Sequence, residues 1–176
     1  PPTFPPTPPK PEKARAMRIA ISAVGRWRAG PEKTLTDDYL TRAQGAGRSL
    51  GLTGFTLTEV EEKRRLEGDA LKAAEAALLK ATLARGAKVV MLDERGRMEP
   101  SPAFATRLGQ WRDGGVADLT FVIGGADGLD ASFRDSADHL LAFSPMTWPH
   151  MLVRVMLSEQ IYRAVSILSG HPYHRV

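Results

Sequence analysis

The chain contains no cysteine, which excludes disulfides, thiolate metal sites and cysteine nucleophiles together. It has no apolar run approaching the roughly 20 residues that a membrane span needs, and its proline-rich start lacks the apolar stretch of a signal peptide. A strong charge of one sign is missing as well. The formal net charge is +4, and Lys10, Lys13 and Arg15 against Glu12 supply half of it before Met17. Wholesale polyanion binding is therefore not written into the balance, and any nucleic-acid contact has to come from local patches. All four histidines lie after residue 138, with no acidic or cysteine cluster beside them to complete a metal site. These absences predict a soluble cytoplasmic protein with no membrane and no metal among its partners.

What is present is enough to fold. In 176 residues, 43% are hydrophobic, which suffices to bury one core in one domain. Residues 1–16 stand apart: PPTFPPTPPKPEKARA holds seven of the 13 prolines and too little apolar surface to offset its chain entropy, so a disordered or polyproline II tail is expected. The fold is expected to occupy residues 17–176. Within it, strand-like and helix-like segments alternate. Strands are predicted at 18–24, 55–60, 88–93, 118–123 and 139–143, and helices at 33–44, 67–84, 102–112, 130–136 and 151–169. Such alternation argues an α/β domain with a mostly parallel sheet.

Four stretches can carry chemistry. Ile123-Gly-Gly-Ala-Asp-Gly-Leu129 follows a buried strand; it reads either as a tight turn or as backbone left bare for a ligand at a strand end. Its spacing is neither a dinucleotide fingerprint nor a P-loop. Phe143-Ser-Pro-Met-Thr-Trp-Pro-His150 is a loop bounded by two prolines and carrying large apolar residues; it suits a flat ring or a tuck into the core. The helix after it is apolar over more than half its circumference, which calls for a second subunit as well as the sheet. The end, His171-Pro-Tyr-His-Arg-Val176, reads either as a frayed terminus or as a set of groups for stacking on bases and gripping phosphates.

Taken in order, VIGGADGL, S-x-x-T-x-P-H, LVRVxLxEQxYRA and HPYHR, with Met17 to Gly25 at the start and Leu92-Asp93 midway, resemble the RlmH family of SPOUT methyltransferases. The resemblance covers nearly all of 17–176. It implies an α/β fold with a deep C-terminal trefoil knot, a feature no patterning argument reaches because knots are nearly absent from proteins. It also implies a homodimer. The implied activity is S-adenosyl-L-methionine-dependent N3-methylation of pseudouridine 1915 in helix 69 of 23S rRNA on the ribosome. By motif, the cofactor contacts would be Leu92, Gly124, Gly125, Ser144, Pro145, Met146, Thr147, Trp148 and Pro149.

Around the target nucleotide the resemblance suggests His150, Arg154, His174 and Arg175 as catalytic residues, with His171 and Tyr173 binding substrate. Arg154 is expected to neutralise an RNA phosphate or the methionine carboxylate. The segment 59–65 is shorter and more acidic than the family's glycine- and lysine-rich loop, and Lys63 to Arg65 read as solvated. Two alternatives compete: a SPOUT methyltransferase acting on tRNA or another rRNA position, and a non-catalytic ribosome-binding dimer.

Overall fold

A computed structural model describes residues 16–175; residues 1–15, where most of the disordered tail is expected, and Val176 lie outside the described residues. The elements run β1 (Met17–Val24), α1 (Pro31–Gly47) with a single 3-10 turn after it, β2 (Leu52–Val60), α2 (Gly68–Thr82) and β3 (Lys88–Met98). They continue with α3 (Ser101–Asp113), β4 (Asp118–Ile123), α4 (Ala131–Asp135), β5 (His139–Ala142) and α5 (His150–Ser169). The strands form one sheet in the order β2-β1-β4-β3-β5, and every pairing is parallel.

The continuous apolar runs are explained by what covers them. Every residue of β4 from Leu119 to Ile123 is buried, because helices lie on both faces, as a parallel sheet requires. Ile19, Ile21, Phe121 and Val90 face Leu40, Phe104, Leu108, Leu157 and Ile161 of α1, α3 and α5. Met91 and Val122 face Ala76 and Leu79 of α2 and Phe133 of α4.

Two departures from expectation bear on the site. β3 runs five residues beyond the apolar segment that predicts it, and it meets β5 twice: Leu141 registers on Leu92 and again on Arg97. Between these stretches Gly96 lies across the β5 backbone. A Cβ built on it would stand 2.6 Å from the carbonyl carbon of Leu141 and 2.7 Å from its nitrogen, so no side chain fits. The second departure is at the C-terminus. Gly170, at φ 70°, ends α5, and the His171 N–H donates to the Ser166 carbonyl at 2.9 Å. That left-handed cap turns the last residues back along their own helix.

Candidate active site

The carboxyl ends of β3, β4 and β5 open into a cleft of about 710 Å³, the place where open α/β sheets take ligands. Leu92 ends the buried part of β3, Gly124 and Gly125 follow β4, and Ser144, Met146, Thr147 and Trp148 follow β5; all seven line the cleft. Three motifs far apart in sequence thus converge on one space. Pro145 and Pro149 stand outside the lining and set the loop's course, Pro149 immediately preceding α5.

The glycine stretch is a turn that also lines the cleft. The Gly128 N–H donates to the Gly125 carbonyl at 3.1 Å, and Gly128 takes φ 81°, so the segment is a closed turn. Its backbone also borders the cleft. The demand for glycine comes from beneath: a Cβ on Gly124 would press on Leu129 at 3.1 Å, and one on Gly125 would stand 2.9 and 3.0 Å from the Glu75 carboxylate oxygens. Glu75 is 8% exposed, and burial, then Asp127 and Glu62, push its pKa up. It is the single glutamate within α2, and no motif in the sequence marks it out.

The loop after β5 is pinned by one hydroxyl. Ser144 Oγ accepts from the Met146 N–H at 3.0 Å and from Trp148 Nε1 at 2.9 Å, which holds the indole at the cleft mouth with 39% of its surface exposed. The polar lining is acidic on balance. Asp69, Asp93, Glu94, Asp127 and Asp130 outnumber Lys72, Arg95 and Arg134, so the cleft favours a ligand carrying net positive charge.

His150, the first residue of α5, also lines the cleft. Burial first, and then the neighbouring Arg154, push its pKa down, which leaves an uncharged imidazole at neutral pH. Arg154 corrects an expectation. It is completely buried and is absent from the cleft lining. Its Nη2 donates to the carbonyls of Val24 at 2.6 Å and Gly25 at 2.7 Å, and Nη1 to Glu59 Oε1 at 3.2 Å. The Trp27 ring lies 4.7 Å from the guanidinium carbon. With its donors aimed at the end of β1, Arg154 is a clamp between β1 and α5 and reaches neither a phosphate nor a carboxylate in the cleft. The sequence offered no sign of this, since the two carbonyls it serves are invisible in side-chain patterns.

Tyr173 and His174 pack against α5, and His171 to Arg175 are absent from the cleft lining. The Tyr173 hydroxyl donates to Glu159 at 3.0 Å, and its ring packs 4.6 Å from that of Tyr162. Arg163 stacks over Tyr173 at 4.9 Å and meets His174 Nδ1 at 3.3 Å. The Tyr173 N–H donates to His171 Nδ1 at 3.2 Å. Burial, with the bonds to Tyr39 and Glu159, pushes the Tyr173 pKa up. Glu159 stands nine residues along α5 from His150, about 13 Å at 1.5 Å per residue. Within one chain the structure therefore does not bring His171, Tyr173, His174 and Arg175 together with His150.

A family profile described as predicted SPOUT methyltransferase matches residues 17–174. The chain belongs to the SPOUT methyltransferase family. Two relatives named ribosomal RNA large subunit methyltransferase H are similar over most of its length. The one from Ruegeria sp. (strain TM1040) is 56% identical, covering 91% of this chain and all of the relative. The one from Paracoccus denitrificans is 58% identical, covering 90% of this chain and 99% of the relative. Among solved structures, a probable methylase family protein from Haemophilus influenzae matches at 14% identity and TM-score 0.47, covering 93% of this chain and 72% of that one. The SpoU methyltransferase AviRb from Streptomyces viridochromogenes in complex with AdoMet matches at 13% identity and TM-score 0.40; this chain spans 61% of its length. Among the described residues of this SPOUT chain, no helix is long and apolar enough to cross a membrane, and no group of three His, Asp or Glu could hold a metal ion.

Proposed function

We propose that this chain methylates N3 of a pseudouridine in helix 69 of 23S rRNA, using S-adenosyl-L-methionine. The observation that carries the reading is the convergence of Leu92, Gly124, Gly125, Ser144, Met146, Thr147 and Trp148 on one cleft. The residues present fit the cofactor. The bare turn backbone and Ser144 to Trp148 suit an adenosine, and the acidic surplus suits a ligand whose sulfonium and ammonium outweigh its one carboxylate. When bound, the cofactor supplies a methyl group on a positively charged sulfur. The protein's part is to hold the acceptor nitrogen in line and to exclude competing geometries. The acceptor N3 bears a proton that has to leave as its electron pair forms the new bond, and the uncharged imidazole of His150 is a proton acceptor at the cleft wall.

The reading includes a homodimer and a knotted C-terminal third. Exposed Leu35 and Leu152, at 46% and 40%, and the hollow of about 470 Å³ that Leu35, Tyr39, Val155 and Met156 help to line make an apolar surface suited to a second copy. The passage of Gly96 across β5 supports a chain end tucked beneath the β3 extension. Incubation with ribosomes lacking the modification, followed by mass mapping, tests the proposal. One methyl group on that pseudouridine is expected. Methylation of tRNA or of another rRNA position would sink the assignment, and the absence of saturable S-adenosylmethionine binding by calorimetry would sink the enzymatic reading altogether.

A further inference from the structure

The cleft that suits a cationic cofactor is poorly suited to a polyanion. Its carboxylates outnumber its cations, so an RNA strand cannot be held by the cleft floor and needs cations beside it. The loop between β1 and α1 supplies them. Arg26 and Arg28 are both exposed and flank the half-buried Trp27. The segment leaves Gly25, and a Cβ built there would lie 3.5 Å from His150 Nε2, so the loop starts against the cleft wall.

Its middle residue is fixed from two sides. The Trp27 N–H donates to Glu59 Oε1 at 2.6 Å, and the indole stacks on the Arg154 guanidinium, which itself bonds the Val24 and Gly25 carbonyls. The tethered tryptophan leaves its two neighbours outside. Arg28 makes no ion pair among the described residues, and Arg26 pairs with Glu61 at 3.1 Å with both side chains well exposed. Such a surface pair contributes about 0–1 kcal/mol and is readily exchanged for a phosphate.

We propose that Arg26 and Arg28 are substrate-positioning residues that grip phosphates of the rRNA flanking the target nucleotide, held in place at the cleft rim by Trp27 through Arg154 and Glu59. The proposal rests on the rRNA methylation reading above. It assigns the loop no part in cofactor binding or in the chemical step.

The test compares full-length wild type, R26A/R28A and R26K/R28K on unmodified ribosomes across a salt series, with S-adenosylmethionine affinity measured alongside. The double alanine variant is expected to raise KM for ribosomes about tenfold, with kcat within twofold and cofactor affinity unchanged. The log–log dependence of apparent affinity on salt should become shallower by about two, one per lost phosphate contact. The double lysine variant should keep the wild-type salt slope. An R26A/R28A enzyme with wild-type KM and salt slope overturns the proposal, as does one that loses kcat at unchanged KM. A wild type that leaves ribosomes unmethylated instead defeats the functional reading, and the grip with it.

Discussion

Replacing Arg154 with methionine should cost about 3 kcal/mol of folding stability. The side chain is fully buried, and its loss orphans the carbonyls of Val24 and Gly25, now served at 2.6 and 2.7 Å. An unsatisfied buried acceptor costs about 1–3 kcal/mol, and Gly25 is only partly buried, so about 3 kcal/mol for the pair is a moderate sum. Loss of the Trp27 contact adds about 1 kcal/mol. Glu59, whose side chain keeps 27% of its exposure, regains water at little cost. Against this, burial pushes the Arg154 pKa down, so removing the guanidinium also relieves part of its desolvation penalty. The total sits at the low edge of the 3–5 kcal/mol typical when one partner of a buried pair is removed. In urea, with an m-value of about 2 kcal/mol/M, the midpoint should fall by about 1.5 M at unchanged slope. Arg154→Lys should fall about half as far, because a single ammonium cannot bridge two carbonyls and a carboxylate. A midpoint shift below about 0.5 M for Arg154→Met would refute the clamp.

Three further outcomes follow from the same geometry. Gly96→Ala should destabilise the chain by about 3 kcal/mol, since its Cβ would meet three backbone atoms of Leu140 and Leu141 within 2.8 Å and backbone cannot rotate away; a melting temperature within 2 °C of wild type, about 1 kcal/mol at this chain length, would contradict that reading. Ser144→Ala removes the acceptor for Met146 and Trp148 and should weaken S-adenosylmethionine binding about five- to tenfold by calorimetry, near 1 kcal/mol; unchanged affinity would show that the staple does not shape the site. For pH, the His150 pKa is lowered in the fold from 6.5, so the unfolded chain takes up a proton that the folded chain declines as pH falls through and below 6.5. Stability should therefore drop on acidification from pH 7.5 to 5.5, and less so in His150→Gln. His139 shifts the same way, by burial and then Arg107, so the variant removes only part of the slope; an identical drop in both proteins would exclude His150 as a contributor.

The fold was legible where side-chain periodicity carries the information. β4 has the predicted bounds, α3 is one residue longer than expected at each end and α5 one residue longer at its start, because apolar runs report burial directly. β3 was read short, since Glu94 to Met98 is polar and largely exposed and is held only by a second register on β5. In the site, motif order identified the cleft lining, but residues acting on backbone were hidden. Arg154 on an apolar helix looks like a ligand-binding cation; it is a clamp because two carbonyls of β1 happen to end there. Trp27 and Glu75 carry no motif at all, and their importance comes from what the fold sets against them. The tail's groups were expected around the target nucleotide; within the chain the partners of Tyr173 and His174 are Glu159, Tyr162 and Arg163.

The double register of β5 has a consequence for what holds one wall of the cleft. A strand at a free edge can join or leave a sheet by itself, but β5 has Gly96 laid across its backbone and needs both stretches of β3 in position. The residues that follow β5 supply Ser144, Met146, Thr147 and Trp148 to the cleft, so that wall hangs on a strand held at two places along β3. A change that frees the second stretch of β3 would therefore reach the cleft through β5, without touching a residue that lines it.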